Sequence, residues 1–495
     1  MKNNKIYKEI QNAISENFYL YPNSLRTKED VVFFILKDNK HKYLGIAGPE
    51  KKIDRYNFSE RQCNSIQIDK ESSSLIKFFK RNEINFKILT EVFPELLPVP
   101  IGSSPSFGFG DRLGNANAAH IRIIKQHEGI IPVLAQQSVR ELEKTKKDFE
   151  KVISNSVWNI MQDGYKGVWA ADADHIKDME SFIKAAEAGM TMYTLDTAEH
   201  LDEKVLFMDL KKIKENYNLD TDYIKYLKKK YLDKKIKIGK TEIIFSSITI
   251  FKLAILYGKA LSFIKEIFLF LSSRINSFDY EVSFDETNTI TSPEAHYFLA
   301  NEMLDSGIKF TSIALRFPGT FEKGIDYLGE IKEFESSIRI HSFICRKIGG
   351  YKLSLHSGSD KLSIYPSFTR HTNGVFHIKT SGTSWLEAIR LVASKDSLFF
   401  RKLYKIAYDS FDENKKAYHV NLDKKTLPLD LNKVSDTDLP SIVDNKDLRR
   451  VFHIGYGTIL DEEKGNIMRL LFENEEKYYQ YLIENFEKHF DAFKC

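Results

Sequence analysis

The sequence predicts an α/β protein built as a (β/α)8, TIM-like barrel, with a small N-terminal α+β element and a helical insertion between the fourth and fifth strands. Three observations lead there. From residue 96 onward, short apolar runs alternate with stretches of helical periodicity, which is how βα units around a parallel sheet read in sequence. Eight such pairs can be counted, and eight alternating units in one chain favour a closed barrel over an open doubly wound sheet. The length of 495 residues is large for one plain domain but ordinary for a barrel with insertions.

Residues 1–95 read as the N-terminal element. A short helix is followed by VVFFILKD and HKYLGIAG, two strands about a turn at Asp38-Asn39-Lys40. The barrel occupies 96–440. Its first strand is expected at 97–101, ahead of GFGDRLG and a helix from Ala116. The second is IPVLAQ, before a helix from about Ser138. The third is GVWAAD, before a helix over 179–188, and the fourth is MTMYTLD. The fifth is YEVSFDE, before a helix opened by Ser292-Pro293-Glu294, an N-cap followed by proline in the first turn. The sixth is FTSIALRF, the seventh YKLSLH and the eighth GVFHIK, before SWLEAIRLVA. The stretch 200–278 is too long for one crossover helix and reads as a helical insertion. Residues 441–495 read as a helical extension packed on the outside. Its aromatic stripe of Tyr478, Tyr479, Tyr481 and Phe486 reads as packing.

Composition excludes several classes. Hydrophobic residues make up 42% and charged residues 29%, so a large core can form and disorder is not expected. The net charge of +4 implies no strong field for nucleic acid. The most apolar stretch, 243–275, is broken by Lys252, Lys259, Lys265 and Arg274, whereas a membrane span needs about 20 nearly uncharged residues. The three cysteines, Cys63, Cys345 and Cys495, are dispersed and suggest no disulfide framework. The first residues lack an apolar signal segment. A cytoplasmic protein is expected, with a small molecule as partner, no nucleic acid and no membrane; a homo-oligomer is compatible with this reading.

Catalytic groups of such barrels sit at the C-terminal ends of the strands, and polar residues collect there. The first strand leads to Asp111-Arg112, the second to Gln136-Gln137, the third to Asp174-His175, the sixth to Arg316 and the seventh to His356-Ser357. By period two, Glu281, Ser283 and Asp285 share one face of the fifth strand. Capping and ordinary loop polarity explain some of these residues. They explain poorly the histidines and carboxylates inside apolar strands, because an isolated buried charge is costly unless paired or bound to metal. Asp174-His175 pairs an imidazole suited to a divalent ion with a carboxylate able to act as a base. His377 reads equally as a ligand or as a satisfied core histidine. Glu281 reads as an acid/base or as an ion-pair partner of Lys352 or Lys379. Arg316 suits a carboxylate clamp, with Lys352 and Lys361 as further cations.

Taken together, GFGDRLG, PVLAQQSVREL, ADADHIK, DTAEH, EVSFDET, RFPGTFEKGIDYLG and YKLSLHSGSDKLSIYP make the chain resemble the tagaturonate (tagaturonate/fructuronate) epimerases over about 99–393. The resemblance implies a divalent-metal-dependent enzyme of hexuronate catabolism, with Zn, Mn, Ni and Co not distinguished and no nicotinamide expected. A more distant similarity to class II metal-dependent aldolases implies that His175 and His356 bind the metal while Asp174 and Glu281 exchange protons. The histidine which those aldolases place after the sixth strand has no counterpart here, leaving His377, Glu322 or a water as third ligand. Asp111, Arg112, Gln136, Gln137, Arg316, Ser357 and Lys361 are then candidates for substrate binding. The expected chemistry is retro-aldol opening and reclosure at the carbon β to the ketone. Competing expectations are a neutral ketohexose 4-epimerase, a class II-type aldolase, or a non-catalytic sugar-binding barrel.

Overall fold

The computed structural model describes residues 2–62, 65–68, 74–239, 241–416, 418, 420–427 and 431–493. Cys63 and Cys495 lie outside them, and Cys345 is a buried free thiol. Eight parallel strands close into a barrel: β1 Ser106–Gly108, β2 Ile131–Ser138, β3 Ala170–Ile176, β4 Met192–Asp196, β5 Asp279–Ser283, β6 Ser312–Ala314, β7 Lys352–Leu355 and β8 Phe376–Lys379. They neighbour one another in chain order, and β8 closes on β1.

The first strand departs from the sequence expectation. Residues 97–101 pair in no strand, because Pro98 and Pro100 lack the N–H groups an interior ladder needs. The segment instead passes under the barrel, where the Ile101 and Gly102 amides donate to the Asp279 carboxylate at 2.6 and 2.9 Å. The three-residue SFG is the strand in its place.

Alternation sets the character of the barrel. Outward residues such as Phe107, Val282, Ile313, Leu353 and Ile378 are fully or almost fully buried, consistent with packing under the helices. The inward set is polar. Thr194, Glu281, Ser312 and Lys352 sit in register on successive strands. Asp172, Lys379 and His377 are likewise buried. A polar interior of this kind costs desolvation unless every group finds a partner, and here most of them do.

The N-terminal element is a six-stranded antiparallel sheet centred on the hairpin Val31–Lys37 and Lys42–Pro49. Asp38 Oδ1 closes its turn by accepting from the Lys40 and His41 amides at 2.7 and 2.6 Å. The stretch after β4 holds the helices Leu210–Asn216 and Asp222–Tyr231. It also holds an antiparallel hairpin that helical periodicity did not announce, Lys235–Ile238 with Thr241–Ile244. The crossover to β5 is the helix Ser247–Arg274. At the C-terminus, the helices Lys446–Glu473 and Glu475–Asp491 pack on the barrel helices. Tyr478, Tyr479 and Phe486 are buried there, as packing residues. Among the described residues no helix is long and apolar enough to cross a membrane.

Candidate active site

The C-terminal end of β3 carries the local feature on which the site depends. The β3–β4 register slips between Tyr193 and Leu195, so Asp174 and His175 together face one residue of β4. His175 takes up the extra residue with φ +51°, a left-handed conformation costing about 1–2 kcal/mol in a residue with a Cβ. Such bulges re-aim side chains beside functional sites. This one lets two consecutive residues reach the same cavity.

His175 and His356 are each fixed from behind by a carboxylate. His175 Nδ1 donates to Asp174 Oδ1 at 2.7 Å, and His356 Nε2 donates to Glu281 Oε1 at 2.7 Å. Carboxylates only accept, so the other ring nitrogens are left facing inward. His356 Nδ1 lies 3.2 Å from His175 Nε2 and 3.0 Å from Asp285 Oδ1. The third edge, His175 Nε2 to Asp285 Oδ1, is 3.6 Å. The Ser283 hydroxyl donates to Asp285 Oδ1.

The three atoms are lone-pair donors converging on one point, which calls for a cation or for protons between them. Burial lowers the pKa of both imidazoles, but the charges of Asp174 and Asp285 outweigh it and raise His175 well above its ordinary value. His356 is raised too, chiefly by Asp285 against its burial. A divalent ion bonded at about 2.0–2.2 Å in tetrahedral or octahedral geometry places neighbouring ligand atoms about 2.8–3.6 Å apart. The edges of 3.0, 3.2 and 3.6 Å fit that spacing, and a carboxylate behind a ligating imidazole is the usual support of a metal site. The donor set fits a divalent ion.

Beneath this cluster Lys379 Nζ meets three carboxylates: Asp172 Oδ2 at 2.6 Å, Asp174 Oδ1 at 2.8 Å and Glu281 Oε1 at 2.9 Å. Burial would lower its pKa, but these charges hold it well above the ordinary lysine value. In return, burial pushes the Asp174 carboxyl up, and His175 and Lys379 outweigh that and hold it well below the usual range. Asp174 is therefore an ionised carboxylate at the cavity wall.

The cavity above has a volume of about 350 Å³, and Asp174, His175, Asp285, His356 and Lys379 form part of its lining. Among the residues singled out from sequence, Arg112, Gln136, Arg316, Ser357 and Glu322 also line it. Others sit elsewhere. His377 Nδ1 is hydrogen-bonded to Ser106 Oγ at 2.9 Å in the barrel interior, outside the His175–Asp285–His356 group. Burial lowers its pKa to about 3, so it is a neutral core histidine. Glu322 Oε2 accepts from Arg450 at 2.8 Å and is not part of the donor cluster.

Glu281, expected from sequence to exchange protons with substrate, is fully buried behind His356 and is not among the residues that line the cavity. Asp111 accepts from the Gly114 and Ala116 amides at 2.7 and 2.8 Å, leading into the helix Asn117–Ile124. Gln137 donates to the Asp111 carbonyl at 2.9 Å. Lys361 Nζ donates to the carbonyls of Glu322, Ile325 and Ser359. None of these three faces the cavity.

Sequence reasoning placed Asp285 on the right face of β5 but not among the ligands. It also passed over Lys323, Arg140, Tyr418 and His453, which line the cavity. The last two come from the segments after β8, where strand-end reasoning has no reach.

A closed parallel barrel carrying, at its strand ends, a triangle of donors that could hold a metal ion beside an ionised carboxylate has the layout of a barrel enzyme. A model of the tagaturonate epimerase family (UxaE) matches residues 21–493, so the chain belongs to the tagaturonate epimerase family and is an isomerase of the epimerase type. It is 36% identical over 496 residues to the tagaturonate/fructuronate epimerase of Thermotoga maritima, covering 99% of this chain and 100% of that one. The crystal structure of fructuronate-tagaturonate epimerase from Cohnella laeviribosi, native or with one glycerol, superposes with a TM-score of 0.91 at 33% identity, covering 100% of this chain and 99% of that one.

Proposed function

We propose that the protein interconverts tagaturonate and fructuronate by opening and reclosing a carbon–carbon bond, with a divalent ion held by His175, Asp285 and His356. The observation that carries this reading is the convergence of those three donor atoms beside ionised Asp174. A divalent ion there would supply Lewis-acid polarisation of the substrate ketone.

The two sugar acids differ at the hydroxyl-bearing carbon β to the ketone. Its C–H is not acidic, so inversion by simple deprotonation is closed. Asp174 takes the proton of the β-hydroxyl. The C–O pair becomes an aldehyde carbonyl, the bond between the α and β carbons breaks, and its electron pair passes into the ketone as an enediolate. The aldehyde turns its other face, the bond re-forms, and Asp174 returns the proton to the new alkoxide. Lys379 keeps Asp174 ionised between turnovers. Glu281 orients His356 rather than touching substrate. Gln136 Oε1 is buried without a protein partner at the cavity wall and suits a substrate hydroxyl as its donor. Arg316 adds a second positive charge to the wall that an anionic substrate meets.

The test is direct. Purified protein given tagaturonate should form fructuronate, followed by NMR. Exhaustive chelation should lower the rate at least about 100-fold, and a stoichiometric addition of Mn, Co, Ni or Zn should restore it. Full activity after verified metal removal would reject the ion's role. A tightly bound nicotinamide, visible in the absorbance spectrum, would favour transient oxidation instead.

A further inference from the structure

Arg112, Arg140, Arg316, Lys323 and Lys379 bring positive charge to the cavity wall; among the described residues neither Arg316 nor Lys323 forms an ion pair with a carboxylate within 4.0 Å, and Lys323 is the one tied to the donor cluster, through the Ser357 hydroxyl. Arg112 is occupied: Nε donates to Glu141 at 2.9 Å, Nη1 to the His453 carbonyl at 3.2 Å, and the guanidinium stacks 3.8 Å from the Tyr456 ring centre. Lys379 is surrounded by its three carboxylates. Arg140 lies over the Tyr418 ring. Lys323 Nζ donates to the neutral Ser357 hydroxyl at 2.8 Å. Among the described residues no ion pair brings a carboxylate within 4.0 Å of it. An ammonium has three N–H donors, so Lys323 keeps donors for a ligand. Ser357 follows His356 directly, which sets this charge beside the donor cluster.

The loop that presents Lys323 is built to hold it still. Lys361, fully buried, donates to the Glu322 and Ile325 carbonyls on either side. Arg449 Nε donates to the Gly324 carbonyl at 2.7 Å while its Nη2 pairs with Asp360 at 2.9 Å. Two buried cations thus fix the peptide groups flanking one unpaired cation. Pre-organisation of this sort lowers the cost of ordering a binding group when ligand arrives.

We infer that Lys323 is the anchor for the substrate carboxylate, and that Lys361 and Arg449 are positioning residues that hold its loop. The inference rests on the reading of the substrate as a sugar acid. It also assigns the anchor a second task. Opening the bond between the α and β carbons leaves a three-carbon aldehyde acid that keeps the carboxylate, and a three-carbon enediolate. The anchor retains the first fragment while its carbonyl turns. If it escapes, the enediolate takes up a proton and leaves as a ketotriose, so that one sugar acid yields one aldehyde acid and one ketotriose.

Lys323→Gln and Lys323→Arg test this against wild type. For Lys323→Gln the KM for tagaturonate should rise about 10- to 100-fold, the loss expected for one hydrogen bond to a charged group. The inhibition constant of neutral fructose should stay within about threefold. The aldehyde acid should become detectable in solution as its hydrazone. Lys323→Arg keeps the charge and should recover most of the KM. The fructose constant doubles as a check that the site is folded. Equal shifts for acid and neutral sugar, or an unchanged KM in Lys323→Gln, would overturn the assignment. A wild-type protein that binds fructose but does not turn over tagaturonate would instead sink the reading on which it rests.

Discussion

Asp174→Asn should leave metal binding intact and lower epimerisation at least about 1,000-fold, within the range that removal of a general base produces. The asparagine carbonyl can still accept from His175 Nδ1 and Lys379 Nζ, the two donors that Asp174 Oδ1 serves at 2.7 and 2.8 Å. Ring orientation and the inward lone pair of His175 therefore survive, while the capacity to take a proton does not. Metal content by elemental analysis separates the two roles. A variant that holds the ion and keeps wild-type turnover would remove Asp174 from the base position. A variant that loses the ion would recast it as a support of His175 alone.

Asp285→Ala should have a comparable effect by another route. Asp285 contributes the one anionic atom of the donor triangle, 3.0 Å from His356 Nδ1. Its carboxyl is held well below the ordinary range by the neighbouring histidines, which outweigh its burial. Removing it leaves two facing imidazole nitrogens 3.2 Å apart with no negative charge between them. The expected outcome is loss of stoichiometric metal and a fall in activity of at least about 1,000-fold, the scale of losing Lewis-acid assistance. Retention of both would show that the ion, if needed, sits elsewhere. The His377→Ala variant is the useful contrast. Its ring lies inside the barrel against Ser106, so metal content should be unchanged.

The fold was legible where periodicity is strong. Seven of the barrel strands were found as apolar runs because their outward residues, such as Val282 and Ile313, must pack under helices whatever faces inward. The first failed because the apolar run at 97–101 carries two prolines, a signal that outranks hydrophobicity for an interior strand. The site was legible to the same depth. The strand-end rule pointed to Asp174, His175 and His356, which line one cavity, but a sequence does not display a register slip. Only the bulge in β3 reveals that two adjacent residues reach one cavity. Period two put Glu281 and Asp285 on one face, and depth along the strand then separated them into a support behind His356 and a member of the donor triangle. Lys361 misled for a physical reason. A lysine after a strand end looks like a ligand clamp, yet here its ammonium is consumed by backbone carbonyls, and the residue whose loop it braces faces the cavity instead.

Anomalous diffraction from crystals grown with Mn, Co or Zn tests the central claim most directly. The account predicts one anomalous peak per chain bonded to His175 Nε2, Asp285 Oδ1 and His356 Nδ1. A peak at any other group of side chains, or an active crystal with no peak inside the barrel mouth, would contradict it.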